Sequence, residues 1–445
     1  MFCTKKQVIW SLFLLLPLLI SCQTAAKQQA TNEFPSDLAT EWFDLELKLI
    51  RETPGFTPPV ASRALGYSGV ALYESVVAGM PENNSLVGQL HDLESLPQPE
   101  EGEVYYWPAA ANRAMATILR ALYPTAKPEN LAAINALESK YSAQYKEAAG
   151  EEIFDRSVAY GTSVADAVFA WSKNDGGHEG YAANFPDSYL PPAGDGLWVS
   201  TPPGYQAALQ PYWNNNRPFV LNTEEDCLAP PPTDYSEAED APFYAEAMEV
   251  YTAVQNLTPE EEAIALFWAD DPGTTFTPPG HSISIASIAL RQEEADLAMA
   301  AETYARVGMA VADAFIGCWH AKYTYNLIRP ITYIQNYIDP DWNTPNITDP
   351  VITPPFPEYT SGHSVQSGAA SAVLTALFGD NYHFTDDTHV NRGLAARTFD
   401  SFNDFADEAA ISRLYGGIHY RPAIELGVDQ GKCIGEQVNA LAWKQ

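Results

Sequence analysis

The stretch SGHSVQSGAASAVLTALF, residues 361–378, reads as a helix with a purpose at its first turn. Val365, Ala369, Val373, Leu374 and Leu377 recur at helical spacing and lie on one face. Ahead of them, Ser361-Gly362 puts a hydroxyl and free backbone N–H groups at the helix N-terminus. Such an end offers partial positive charge and unpaired donors, a ready site for an oxyanion. Glycine lets the backbone approach that ligand closely. His363 follows in the first turn, beside whatever binds there. A plain hydroxyl cap followed by a satisfied histidine would leave the same trace, so the rest of the chain has to decide.

Helical patterning continues outward in both directions. Ser36 is placed to cap a helix running through Leu38, Trp42, Leu45 and Leu49 to the break at Pro54-Gly55. A second helix begins near Pro58-Pro59. Others fit 107–122, 128–147, 151–173, 238–256 and 259–270, the last with Thr258 as cap and Pro259 at the first helical position. Further on come 280–292, 293–320, 391–415 and 421–442. Strand-like alternation is hardly visible. The expected class is therefore all-α, a large protein built around helical bundles, with the oxyanion site in the C-terminal one. Only residues 176–235 break the pattern, being rich in Pro, Gly, Asn and aromatics; a long irregular segment of this kind wraps a surface or serves function. It divides an N-terminal helical half, 35–175, from a C-terminal bundle, 236–445.

The balance of 24 Lys plus Arg against 57 Asp plus Glu, a net charge of −33, argues against nucleic acid and anionic lipid as partners. It also means that a cluster of cations inside the protein calls for a cause. Lys5 and Lys6 precede an apolar run from Val8 to Ile20, too short to span a bilayer but suited to a secretion signal. Leu19-Ile20-Ser21-Cys22 resembles a bacterial lipobox. The expectation is a signal peptide over 1–21, lipidation of Cys22, a tether over 22–34, and an exported protein, periplasmic or anchored in the outer membrane only through its lipid. An ordinary cleaved leader with a chance cysteine is the alternative. Cys227, Cys318 and Cys433 are widely spaced and form no C-x-x-C pair, which argues against a disulfide framework and a cysteine zinc site; Cys318 reads as a core thiol.

Two further segments carry chemistry. In Trp319-His320-Ala321-Lys322-Tyr323-Thr324-Tyr325-Asn326-Leu327-Ile328-Arg329-Pro330, the cations Lys322 and Arg329 are nearly two helical turns apart and would share a face. In Ser412-Arg413-Leu414-Tyr415-Gly416-Gly417-Ile418-His419, the paired glycines should interrupt a helix and let Arg413 and His419 converge. Alone, the first suggests a solvated face and the second a helix end beside a buried histidine.

Together, Lys-x6-Arg-Pro, Ser-Gly-His and Ser-Arg-x3-Gly-x-His, in that order, resemble the signature of vanadium-dependent haloperoxidases and their relatives, the type-2 phosphatidic acid phosphatase superfamily. The resemblance covers 315–425 strongly. Within it, the chain looks most like bacterial iodide-oxidising enzymes. It implies a vanadate cofactor, with hydrogen peroxide, halide and a small organic acceptor as partners, and hypohalous acid formed by way of peroxovanadate. Lys322, Arg329 and Arg413 would neutralise the oxyanion, while Ser361 and the Gly362 N–H bind its oxygens. His419 would bond to vanadium, and His363 would act as acid–base group, with Lys322 polarising the bound peroxide. Trp319 and Phe356 would border the halide region.

One position departs from the family. Asp is usual four residues after the metal-binding histidine, where this chain has Ala423, so either Glu425, a backbone carbonyl or another acid orients His419 or the vanadium bond is less well braced. Asp270 or Asp271 is expected to contact Lys322. His281 and His320 read as ordinary buried or hydrogen-bonded histidines rather than metal ligands. The rival readings are an acid phosphatase that uses His419 as nucleophile, and a periplasmic anion-binding lipoprotein. The aromatics Trp319 and Phe356 favour the peroxidase over the first. The paired histidines argue against the second, because simple anion binding needs no acid–base group. Iodide, then bromide, are the expected halides.

Overall fold

In the computed structural model, residues 1–2, 28–222, 226–342 and 351–445 are described; the apolar leader, Cys22 and the tether up to residue 27 lie outside them. The first half holds α1 (Asp37–Glu52), α2 (Pro58–Val76), α3 (Trp107–Leu122), α4 (Pro128–Ala149) and α5 (Glu151–Ser172). After the irregular segment come α6 (Pro242–Gln255), α7 (Pro259–Phe267), α8 (Thr277–Gln292), α9 (Leu297–Tyr325) and α10 (Pro330–Tyr337). The last part holds α11 (Gly362–Phe378), strands β1 (Phe384–Asp386) and β2 (Arg397–Phe399), α12 (Phe402–Tyr415) and α13 (Arg421–Asn439). The protein is all-α in class and built of helical bundles. No helix among the described residues is long and apolar enough to cross a membrane.

Local chemistry sets most boundaries. Thr258 and Glu261 form a reciprocal capping box at α7, each side chain serving the other's backbone N–H. Asp296 accepts from the Met299 N–H at 2.8 Å, so α9 starts there and not at 293. It ends at Asn326, whose φ of 47° is a left-handed conformation that asparagine tolerates. Consequently Lys322 and Arg329 do not share a helix face as expected. Lys322 is in the last turn of α9, and Arg329 is the cap of the separate α10.

A second difference concerns 391–415. Helix α12 begins only at Phe402, and the preceding residues pair as an antiparallel hairpin, Phe384 opposite Phe399 and Asp386 opposite Arg397. Both phenylalanines are buried and pack against each other, so tertiary burial decides against the helix that local propensity favours.

Helix α9 is the shared element, packing on α2 on one side and on α11 on the other. The α11–α13 crossing is close enough that a Cβ on Gly435 would lie 2.5 Å from the Ala369 carbonyl oxygen. One apolar core runs from Phe34 to Trp443, across the position of the irregular segment. That segment wraps α9. The Asp313 carboxylate accepts from the N–H groups of Phe219, Val220 and Leu221 at 2.7, 2.9 and 3.0 Å, and the Trp198 N–H donates to the Asn326 carbonyl at 2.7 Å. The segment is also tied to α13 by a disulfide between Cys227 and Cys433, which corrects the expectation that these cysteines stay unpaired. Cys318 is the buried free thiol expected.

Candidate active site

The end of α9, the cap of α10, the start of α11 and the loop after α12 meet around a cleft of about 580 Å³. Gly362, His363, Arg413 and His419 line it, with Trp319, Phe356, Asp270 and Asp271 on its walls. Lys322, Arg329 and Ser361 are fully buried immediately behind. The three segments singled out in the sequence are thus brought together. Gly417, at φ 72°, turns the chain after α12 and permits the return of His419 toward Arg413.

Each buried cation has a defined task. The Lys322 ammonium donates to the carbonyl oxygens of Pro357 at 3.0 Å and Glu358 at 2.9 Å, and also to that of Thr360. Its three donors are committed, so it fixes the turn before Ser361 and contributes charge to the site. Burial pushes its pKa down to about 7. Arg329 donates from Nε to the Phe356 carbonyl at 2.9 Å and from Nη1 to the Ile418 carbonyl at 2.8 Å. Its Nη1 is 3.2 Å from His419 Nε2, while Nη2 is buried without any partner. Arg413 reaches His363, with Nη1 3.4 Å from Nε2. Burial lowers both guanidinium pKa values to about 10.

The two histidines stay neutral. Burial, and then the charges of Arg329, Lys322 and Arg413, hold His419 well below the ordinary imidazole value. Burial and Arg413 do the same for His363. The acid that orients His419 is Glu358, whose Oε1 is 2.7 Å from Nδ1 and also accepts the Tyr420 N–H at 3.0 Å. Ala423 serves elsewhere, its carbonyl accepting from the Ser361 N–H at 3.0 Å. Glu425 turns outward to Arg421. The sequence missed Glu358 because the expected brace follows the histidine; its one signal was an acid directly after Pro354-Pro355-Phe356-Pro357.

Neither Asp270 nor Asp271 contacts Lys322, which corrects that expectation. Asp270 sits between His281 and His389, at 2.8 and 3.0 Å, and the three form a buried cluster with atoms suited to hold a metal ion. Burial opposes ionisation of Asp270, but the two histidines outweigh it and hold the carboxyl well below its usual range. Asp271 faces the Arg413 charge, with burial raising its pKa. On the opposite wall, Trp319 donates to the Leu209 carbonyl at 3.3 Å and packs on Phe356, ring centroids 5.0 Å apart.

A helical protein that buries three cations and a carboxylate-braced histidine at one cleft is built to hold an oxyanion. The orphaned Nη2 of Arg329 makes the same demand, since a buried guanidinium N–H left without an acceptor costs stability. Residues 302–445 match the "VCPO second helical-bundle domain". Over 94% of its length the chain is similar to a solved bacterial vanadium-dependent iodoperoxidase, covering 99% of it at 40% identity with a TM-score of 0.83. The vanadium chloroperoxidase of Curvularia inaequalis is 25% identical over 488 residues, which takes in 88% of this chain and 79% of that protein. A solved bacterial vanadium-dependent chloroperoxidase shares the fold at a TM-score of 0.64 and 16% identity, covering 87% of this chain and 92% of that one. The chain belongs to the vanadium-dependent haloperoxidase family.

Proposed function

We propose that the protein is a vanadate-dependent haloperoxidase that oxidises halide with hydrogen peroxide, iodide first and bromide second, at the cleft floored by His363, Arg413 and His419. The observation that carries this reading is the unpartnered Arg329 Nη2, buried in the same guanidinium whose Nη1 lies 3.2 Å from His419 Nε2. Arg329 and Arg413 would hold the oxyanion by forked hydrogen bonds, Lys322 would add charge, and Ser361 and the Gly362 N–H would take further oxygens. Bound there, vanadate supplies a Lewis-acid centre that activates peroxide without needing haem or flavin. Because Glu358 occupies Nδ1, the proton of the His419 ring is on that side, and the Nε2 lone pair, which in this structure faces Arg329 Nη1 at 3.2 Å, would serve as the metal ligand. His363, kept neutral by burial and Arg413, is the group that accepts the peroxide proton.

Iodide is supported by the likeness to the bacterial iodoperoxidase and by the apolar Trp319–Phe356 wall, which suits a large, weakly hydrated anion. Export is supported by the disulfide, since such bonds persist in oxidising compartments, and by the Lys5-to-Cys22 leader. Lipidation at Cys22 and a small organic acceptor belong to the same reading. The test is peroxide-dependent triiodide formation with and without orthovanadate, with phosphate as competitor. Activity that requires vanadate, yields to phosphate and vanishes in His419→Ala supports it. Vanadate-inhibited hydrolysis of a phosphate monoester without halide oxidation refutes it.

A further inference from the structure

His281 has a carboxylate oxygen on each side of its ring, Asp270 Oδ2 at 2.8 Å from Nδ1 and Asp386 Oδ2 at 2.8 Å from Nε2. A ring with acceptors at both nitrogens is satisfied as a double donor, an imidazolium between two carboxylates. The second Asp270 oxygen is 3.0 Å from His389 Nε2. All four side chains are buried. These separations are those of direct hydrogen bonds, so the group is complete without an ion.

The group ends at the cleft. Asp270 has a left-handed φ of 48° and lines the cleft beside His363 and Arg413. Two residues earlier, Trp268 stacks on the His281 ring with centroids 4.5 Å apart, and its backbone lies against the His363 ring. His363 Nε2 faces Arg413. His281 is on α8 next to Ser282, which reaches Gln366 on α11, one turn beyond His363. Asp386 and His389 come from β1 and the turn after it. The short hairpin therefore has a place in the site architecture.

We propose that the buried chain Asp386–His281–Asp270–His389 is a positioning device for His363. By clamping both ends of the Trp268–Asp270 loop, it holds the Trp268 backbone against the His363 ring and keeps Nε2 turned toward Arg413 and the cleft. None of the four donates to or accepts from Lys322, Arg329, Ser361 or His419, and only Asp270 shares the cleft wall with Arg413, so the device acts on proton transfer more than on vanadate binding. This rests on the reading of His363 as acid–base group.

A double-mutant cycle tests it on the full chain loaded with saturating vanadate. Asp386→Asn should lower kcat for iodide oxidation about tenfold, the low end of what support residues behind a catalytic group cost, with vanadate affinity changed less than about twofold. In a His363→Ala background the same substitution should have no further effect, because the group it positions is gone. A merely structural role would cost the same in both backgrounds, and that result overturns the proposal. Should Asp386→Asn fold poorly, His389 provides the second test. His389→Gln retains a donor for Asp270 and should keep kcat near that of the parent, whereas His389→Leu should lose it; equal kcat in the two overturns the proposal. So does a stoichiometric metal found by elemental analysis of the parent and lost in His281→Gln. Parent-level kcat in His363→Ala alone overturns the acid–base reading, and the positioning role with it.

Discussion

Substituting Glu358 by Gln separates two effects that a simple affinity measurement would mix. The carboxylate is buried and its Oε1 holds both the His419 Nδ1–H and the Tyr420 N–H. Removing its charge takes an anion away from an anion site, which strengthens binding of any oxyanion. It also makes His419 a poorer ligand, which weakens only an anion that bonds to Nε2. Phosphate and vanadate share shape and charge, so the first effect cancels in their ratio. Loss of such a brace costs about 10–100-fold in metal affinity, which corresponds to about 1.4–2.7 kcal/mol. The ratio of the phosphate inhibition constant to the vanadate dissociation constant, both taken from triiodide assays on the apoenzyme, should therefore fall about 10–100-fold in Glu358→Gln. An unchanged ratio, whatever happens to the two constants separately, refutes the assignment of Glu358 as the orienting acid.

Three other outcomes follow from the same geometry. Arg329→Lys keeps the charge but loses the fork and the orphaned Nη2; vanadate affinity should fall by about 1.5–3 kcal/mol, the worth of a hydrogen bond to a charged group, read from the same titration. Glu46 is buried at the α1–α2 contact with Oε2 unpartnered, and burial raises its pKa from 4.5 to about 8. The folded state then holds a proton that the unfolded state has released, so stability declines as pH rises from about 4.5 to about 8. Glu46→Gln should flatten that decline in a melting series across this range, and an unaltered slope would exclude Glu46 as its source. Cys433→Ser should lower unfolding free energy by about 2–5 kcal/mol in denaturant titration, with the same loss in the parent after reduction; equal stability would mean that the bond contributes nothing.

Much of this was legible in the sequence, for physical reasons that also mark its limit. Helices α3 and α5 were readable because apolar spacing and punctuating Pro and Gly are local signals. Lys322, Arg329, Ser361, His363, Arg413 and His419 were readable because an oxyanion site imposes fixed residue types at short spacings. What stayed hidden depends on contacts across the chain. The hairpin strands are three residues each, too short to show alternation, and Leu394-Ala395-Ala396 just before β2 favours a helix until Phe399 is buried against Phe384. Glu358 and His419 are 61 positions apart, and Asp270 and His389 are 119 apart, so no spacing rule connects them. The separation of Lys322 from Arg329 turned on one backbone angle at Asn326.

The Cys227–Cys433 bond spans 206 positions, and Lys322, Arg329, Ser361, Gly362, His363, Arg413 and His419 all fall between its two cysteines. Everything that builds the cleft's chemistry thus belongs to one covalent ring. A single peptide bond hydrolysed anywhere inside that ring leaves a linear loop still joined at both ends, so the two fragments cannot diffuse apart. A first proteolytic cut would therefore be silent under oxidising conditions and would free the halves of the site from their covalent tie only after a reductant arrived.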